Sequence, residues 1–352
     1  MKKIVLTGGG TAGHVTPNLA LIPTLKKRGW EIEYIGSKEG IEKNLIQQAN
    51  IPYHSIASGK LRRYLSLENL KDPFKVIKGY FDARKLLKEI KPDVVFSKGG
   101  YVTVPVVMAA GHLKIPVVIH ESDITPGLAN KIAIKSAKTV CVNFEQTLKY
   151  VGSKGVWTGT PIREEIFMGD KKNAKELCGF GNNKPILLMM GGSLGSKKIN
   201  EVLREALPQI INKFNVVHIC GKNNIDNKLL STEGYKQFEY VKEELPHLLA
   251  ATDIMLSRAG ANAIAEIVAL NIPTLLVPLS AAASRGDQVL NANEMKSKGY
   301  CRVLEEEMLT KDSLKEALNY VFENREDYRN SMREATKLSG IQKVMLEIEK
   351  CR

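Results

Sequence analysis

Short apolar runs alternate with segments of helical period along the first half of this 352-residue chain. The runs Lys3–Thr7, Glu31–Ile35, Tyr53–Ala57, Val94–Ser97, Val117–His120 and Thr139–Val142 predict strands. Pro17–Arg28 and Glu39–Gln48, between them, predict helices. Strands alternating with helices imply a parallel sheet covered on both faces, and such sheets bind ligands beyond the carboxyl ends of their strands. The polar and glycine clusters fall at those ends: Gly8–His14, Ser97–Tyr101 and His120–Asp123.

The pattern then restarts. Pro185–Met190 runs into Gly191-Gly192-Ser193-Leu194-Gly195-Ser196 and a helical stretch from Lys197, echoing the first element. Val216–Cys220, Phe238–Val241, Asp253–Ser257 and Thr274–Val277 predict further strands, and Ser313–Glu323 and Asp327–Lys350 predict closing helices. The expectation is an α/β protein of two tandem Rossmann-like domains facing across a cleft. Gly159-Thr160-Pro161 interrupts regular structure within Gly152–Arg163, so the domains are set at 1–160 and 161–352, the last helix returning to the first. Two glycine turns on two such domains suit an enzyme that holds two phosphorylated substrates.

Composition narrows the class. Five cysteines are scattered without a C-x-x-C pair, which reads as reduced thiols and neither a disulfide framework nor a zinc site. No apolar run approaches a membrane span, and the start has no long apolar stretch of a signal peptide. The net charge of +13 favours anionic partners, either phosphorylated substrates or anionic lipid. Nucleic acid is not expected, since no known binding module is seen and aromatics make up 6%.

The glycines at 8, 10 and 13 satisfy G-x-G-x-x-G, on its own a weak sign of a dinucleotide site. Glu31 and Glu33 lie about where such a site places its ribose-binding acid. His14 is the unusual member. An imidazole beside a phosphate-binding turn suits an enzyme that deprotonates an alcohol; a helix-capping or loop-bonding role is the plain alternative.

Taken in order, the motifs resemble the MurG-type peptidoglycan glycosyltransferases of glycosyltransferase family 28. The first is Gly9-Gly10-Thr11-Ala12-Gly13-His14-Val15-Thr16-Pro17. Lys98-Gly99-Gly100-Tyr101 and His120-Glu121 follow. In the second half come Gly191-Gly192-Ser193-Leu194-Gly195, Arg258-Ala259-Gly260-Ala261 with Glu266, and Asp287-Gln288 with Asn291. The resemblance implies the GT-B fold, with an acceptor-binding, membrane-facing first domain and a UDP-GlcNAc-binding second domain. It implies inverting transfer of N-acetylglucosamine from UDP-GlcNAc to the C4 hydroxyl of undecaprenyl-diphospho-N-acetylmuramoyl-pentapeptide (lipid I), giving lipid II for peptidoglycan at the cytoplasmic membrane face. It implies no metal or other cofactor, and partners among cell-wall synthesis or division proteins. Two positions depart from the pattern: Asp123 stands where some members have Asn, and Leu194 where many have Gln. Another UDP-sugar enzyme of this fold, such as a glycolipid synthase or a 2-epimerase, is the first rival. An NAD(P) oxidoreductase and a non-catalytic nucleotide-binding module follow.

Under this resemblance His14 is the candidate base and Glu121 the rival base, with a structural carboxylate as the alternative for Glu121. Ser193 and the amides of its turn, with Arg163, would take the departing diphosphate, since fixed dipoles and cations stabilise leaving-group charge. Ser193 would otherwise be a helix cap, and Arg163 a solvated charge. Glu266 would hold the ribose hydroxyls or simply favour a helix start. Gln288 would read the sugar's C3 and C4 hydroxyls, and Val241 would meet uracil through its backbone. Ala261, Asn262, Ala263, Ile264 and Ala265 would pass close to the nucleotide. Thr11, Ala12, Gly13, Tyr101, His120, Asn130 and Asn291 complete the substrate-binding set.

Lys60–Lys91 carries ten Lys/Arg against four Asp/Glu. Leu70, Phe74, Ile77 and Phe81 recur there at helical spacing, beside Lys71, Lys75, Lys78 and Lys85. Such a helix suits an anionic bilayer surface, or it packs its apolar stripe on its own sheet.

Overall fold

The computed structural model describes residues 2–59, 72–192, 195–280, 286–335 and 339–351. It contains two compact units. One takes the chain through Arg163 together with the closing helix, and the other runs from Glu164 to Lys337.

The first unit is a seven-stranded parallel sheet of order β3-β2-β1-β4-β5-β6-β7. Its strands are β1 Lys2–Thr7, β2 Trp30–Ser37, β3 Tyr53–Ile56, β4 Val94–Ser97, β5 Val117–Glu121, β6 Thr139–Val142 and β7 Gly155–Trp157. Helices α1 Thr16–Lys27, α2 Ile41–Gln48, α3 Asp72–Ile90, α4 Thr103–His112 and α5 Leu128–Ala133 connect them. β4 and β5 are buried at every position, which is why they open on the apolar runs Val94-Val95-Phe96 and Val117-Val118-Ile119 and do not alternate. One face packs Val5, Val95, Ala83, Leu87 and Val106. The other packs Leu6, Leu21, Leu25 and Phe96 with Ile341, Val344, Met345 and Ile348 of the helix Gly340–Lys350. Arg28 Nη1 donates to Glu349 Oε2 at 2.8 Å across that seam.

The second unit is a six-stranded parallel sheet of order β10-β9-β8-β11-β12-β13. Its strands are β8 Ile186–Met190, β9 Asn215–Ile219, β10 Tyr235–Phe238, β11 Ile254–Ser257, β12 Thr274–Leu276 and β13 Cys301–Val303. Leu187, Val202, Leu203, Leu256 and Leu318 are part of its core.

Four details differ from the sequence reading. The strand expected at Phe238–Val241 lies at Tyr235–Phe238, where Tyr235 and Gln237 turn inward and the run pairs with β9 from Val216. β7 and β13 were not expected; three residues are too few to show a period. β7 also falls within the stretch Gly152–Arg163 that reads as a break. Asp327–Lys350 is not one helix but two, Arg325–Ala335 and Gly340–Lys350, the second opening from an extended Ser339.

On α3, Gly79, Ala83 and Leu87 are buried, whereas Phe74, Ile77 and Phe81 are 74%, 55% and 61% exposed. Lys75, Lys78, Lys85 and Lys88 are exposed beside them. The stripe therefore does not pack on its own sheet. Leu70 and Lys71 lie outside the described residues.

Candidate active site

In each sheet the strand order reverses at one place, between β1 and β4 in the first unit and between β8 and β11 in the second. The loops leaving those strands diverge there and open a crevice at the carboxyl edge. Each unit's glycine turn leaves from a strand at its reversal.

In the first unit, β1 runs into Gly8–Thr11, a short 3-10 turn Ala12–His14, and α1. The turn lies against the loop after β4. Gly9 N–H donates to Gly99 O at 3.4 Å, and a Cβ at Gly100, whose φ is +93°, would overlap the Gly9 carbonyl. Gly10, with φ +88°, would place a Cβ 2.7 Å from the Tyr101 ring. The Gly10 N–H is already taken: it donates to Glu42 Oε2 at 3.2 Å. A fully buried carboxylate thus occupies the donor that a dinucleotide turn would offer to pyrophosphate. Glu31 and Glu33 are committed too, to Lys3 at 3.0 Å and His54 at 2.6 Å. The G-x-G-x-x-G reading loses both of its supports.

Thr11 is exposed, and His14 is half-buried with Nδ1 3.1 Å from Thr11 Oγ1. If Nδ1–H donates to that hydroxyl, Nε2 keeps its lone pair, which is the tautomer a base requires.

The next loops hold a buried charged cluster. Lys98 is 1% exposed and its ammonium donates to Ser122 Oγ. Burial pulls its pKa down to about 8, against the opposing attraction of Glu121 and Asp123. His120 is fully buried. Its Nε2–H donates to Gly159 O at 2.9 Å, and desolvation followed by the Lys98 charge keeps the ring neutral. Glu121 accepts from Asp123 N at 3.0 Å, Gly127 N at 3.1 Å and Asn130 Nδ2 at 2.8 Å, so both oxygens are spent on the loop leading into α5. Burial raises its pKa. Asn130 also donates to His120 O at 3.3 Å. Arg163 ends this unit half-buried, with no hydrogen-bond partner for its Nε among the described residues.

In the second unit, a Cβ at Gly195, with φ +76°, would overlap the Cys220 carbonyl. Ser196 caps the helix Lys197–Ile210, while Ser193 and Leu194 lie outside the described residues. Arg258 ties the edge together. It donates to Ser196 Oγ at 2.7 Å, to the carbonyls of Val277 and Pro278 at 3.2 Å each, and to Glu306. Gly260 caps the helix Ala261–Ala269, and nothing lies within 4 Å of the place its Cβ would take. Asn262, Ala263, Ala265 and Glu266 are half-buried along that helix, whereas Ala261 and Ile264 are buried. Asn291 Nδ2 donates to Ala259 O at 3.3 Å, so it supports the turn preceding the helix. Gln288 Oε1 accepts from Leu279 N at 3.0 Å, leaving its amide nitrogen to offer. Val241 is buried after β10. Behind the Gly195 turn, Asn200 donates to Cys220 O at 2.8 Å and its Oδ1 lies 2.9 Å from His218 Nε2; His218 Nδ1 is 2.7 Å from Tyr235 Oη. Burial drives the His218 pKa down to about 3.

The first unit thus gathers Thr11, Ala12, Gly13, His14, Tyr101, His120, Glu121 and Asn130 on its carboxyl edge. The second gathers Ala261–Glu266, Gln288 and Asn291 on its own. Sequence reasoning missed Glu42, Lys98 as an actor, Ser196 and His218. An acid in the first turn after β2 was the one available sign of Glu42. Among the described residues no group of three or more His, Cys, Asp or Glu side chains is placed to hold a metal ion.

Residues 4–142 match the glycosyltransferase family 28 N-terminal domain and residues 186–348 its C-terminal domain. The chain is 57% identical over 350 residues to the UDP-N-acetylglucosamine--N-acetylmuramyl-(pentapeptide) pyrophosphoryl-undecaprenol N-acetylglucosamine transferase of Clostridium tetani, covering 99% of this chain and 98% of that one. It is 55% identical to the protein of the same name from Lachnoclostridium phytofermentans, over 100% and 99% of the two chains. Among solved structures it is similar to Acinetobacter baumannii MurG, with a TM-score of 0.80 and 26% identity over 99% and 100% of the chains. The fold is shared with a UDP-GlcNAc 2-epimerase from Neisseria meningitidis, at a TM-score of 0.70 and 16% identity.

Proposed function

The chain belongs to glycosyltransferase family 28, and on that premise we propose that it transfers N-acetylglucosamine from UDP-GlcNAc to the C4 hydroxyl of lipid I, forming lipid II for peptidoglycan. The observation that carries this reading is the likeness, end to end, to transferases of that name.

In the reaction the acceptor C4 oxygen forms a bond to C1 of the sugar as the bond from C1 to the UDP β-phosphate oxygen breaks. UDP leaves with the electron pair, and the hydroxyl proton passes to His14 Nε2. Thr11 Oγ1 accepts from Nδ1–H in this tautomer and orients the ring. Glu121 is a loop anchor in this reading, because its lone pairs already face three donors. The second unit takes the nucleotide. Glu266 on the helix Ala261–Ala269 meets the ribose hydroxyls, Gln288 meets the sugar, and the backbone near Val241 meets uracil. Ser193 with the amides of its turn, and Arg163, receive the diphosphate charge.

The lipid-linked acceptor calls for a membrane face. No described helix is long and apolar enough to cross a bilayer, so attachment would be peripheral, at the cytoplasmic leaflet. The outward Phe74, Ile77 and Phe81, flanked by lysines, are the surface for it.

A thermal-shift panel of UDP-GlcNAc, UDP-Glc, UDP-GalNAc and NADH tests the donor. A hundredfold excess over Kd raises stability by about 2.7 kcal/mol. Stabilisation led by UDP-GlcNAc is expected; stabilisation by NADH alone would overturn the assignment.

A further inference from the structure

The least expected group beside the first glycine turn is Glu42. It sits in the first turn of α2, is 0% exposed, and takes only neutral donors: Gly10 N–H at 3.2 Å, Ser37 N–H at 3.1 Å and Ser37 Oγ–H at 2.5 Å. The surroundings are shaped to it. A Cβ on Gly9 or on Gly40 would run into the carboxylate. Ser37 is itself fixed at the end of β2, its carbonyl accepting from Tyr53 Oη at 2.5 Å. A buried carboxylate costs several kcal/mol in desolvation unless its partners are well placed. Its bonds tie the first glycine turn to the end of β2, and that tie has a use at the site.

That use follows from the chain of contacts. Gly10 stands at φ +88° between β1 and the exposed Thr11, and Thr11 Oγ1 is the group beside His14 Nδ1. We propose that Glu42 is a positioning residue of the transfer: by holding the Gly10 amide it sets the Thr11–His14 pair in place. The proposal rests on His14 being the base. An amide could not replace the carboxylate, since all three groups that face it are donors and a glutamine NH2 would meet one of them.

The test is a double-variant cycle on the full chain, read with UDP-GlcNAc and a soluble lipid I analogue. Glu42→Ala is expected to lower kcat by ~10²-fold, the scale of a slight misplacement of a catalytic group. KM for UDP-GlcNAc should stay within about twofold, because that substrate is bound elsewhere. Glu42→Gln should fall nearly as far. Added to His14→Ala, Glu42→Ala should cost nothing more. An Ala variant with near-parental kcat, or an equal further loss on top of His14→Ala, would overturn the proposal. Should Glu42→Ala not give a cooperative melt, Ser37→Ala removes one donor only; a severalfold drop in kcat is then expected, and no drop would count against the idea. If His14→Ala itself turns over normally, the base assignment fails separately. Amide exchange at Gly10 then decides for Glu42: faster exchange in Glu42→Ala supports its hold on the turn, and unchanged protection refutes it.

Discussion

Thr11 Oγ1 lies 3.1 Å from His14 Nδ1, on the turn that joins the interior strand β1 to α1. Removing the imidazole by His14→Ala should lower kcat by ~10²-fold or more, the usual contribution of a general base. Thr11→Val keeps the shape and deletes the hydroxyl, so the ring loses the hydrogen bond that orients it. A smaller fall is expected, of about tenfold, with KM for UDP-GlcNAc little changed. Steady-state rates against pH check both. A Thr11→Val enzyme with unaltered kcat would mean that the hydroxyl does not orient the ring.

Glu121 gives the opposite pattern. It is bound to two amides and to Asn130, so Glu121→Gln sets an NH2 against N–H donors. The variant should lose about 1–3 kcal/mol of stability, the cost of buried donors left unpaired. Denaturant melts measure this. A stable Glu121→Gln with kcat reduced a hundredfold would instead make Glu121 the base.

His218 predicts an acid limb in stability. Its folded pKa, about 3, lies below the ordinary value of 6.5 because burial disfavours the charged ring. The unfolded chain therefore binds the extra proton first. The contribution is complete above pH 6.5 and is lost as pH falls from 6.5 towards 3, by roughly 1 kcal/mol per pH unit. Urea melts of the parent and of His218→Gln across that window check it. The variant should show a shallower slope, with a remainder from the buried His120, whose pKa is shifted in the same direction.

The outward face of α3 gives a binding prediction. Phe74→Ser with Phe81→Ser removes mostly exposed apolar area, Phe81 also giving up its edge contact with Tyr80, so stability should fall by no more than about 1 kcal/mol. Sedimentation with anionic vesicles should fall sharply. Binding by the parent should weaken with salt, as expected for lysines worth ~1 kcal/mol each at a charged surface. Equal vesicle binding by parent and variant would sink the membrane role.

Much of this was legible in residue pattern. Runs such as Val94–Ser97 are buried on both faces, and their apolar continuity survives into the sequence. The glycine turns were legible because Gly10, Gly100 and Gly195 have positive φ and leave no room for a side chain. Glu42 was not, because its partners Gly10 and Ser37 come together only when β1, β2 and α2 are assembled. Nor was the face of α3 that points outward, since Val76, Tyr80, Ala83 and Leu87 form a second apolar stripe on the same helix. His120 reads as a substrate contact, yet its side chain is enclosed and bonded to Gly159.

The helix Gly340–Lys350 belongs to the core of the sheet that begins with β1. On a ribosome, the unit made first is therefore the last to be finished. At roughly 5–20 residues per second, the seam between Leu21 and Val344 stays open for on the order of ten seconds or more while the whole second unit emerges. Premature termination near the 3′ end of the message would spare the second unit and leave the older half with an uncovered apolar face, a target for chaperones and proteases.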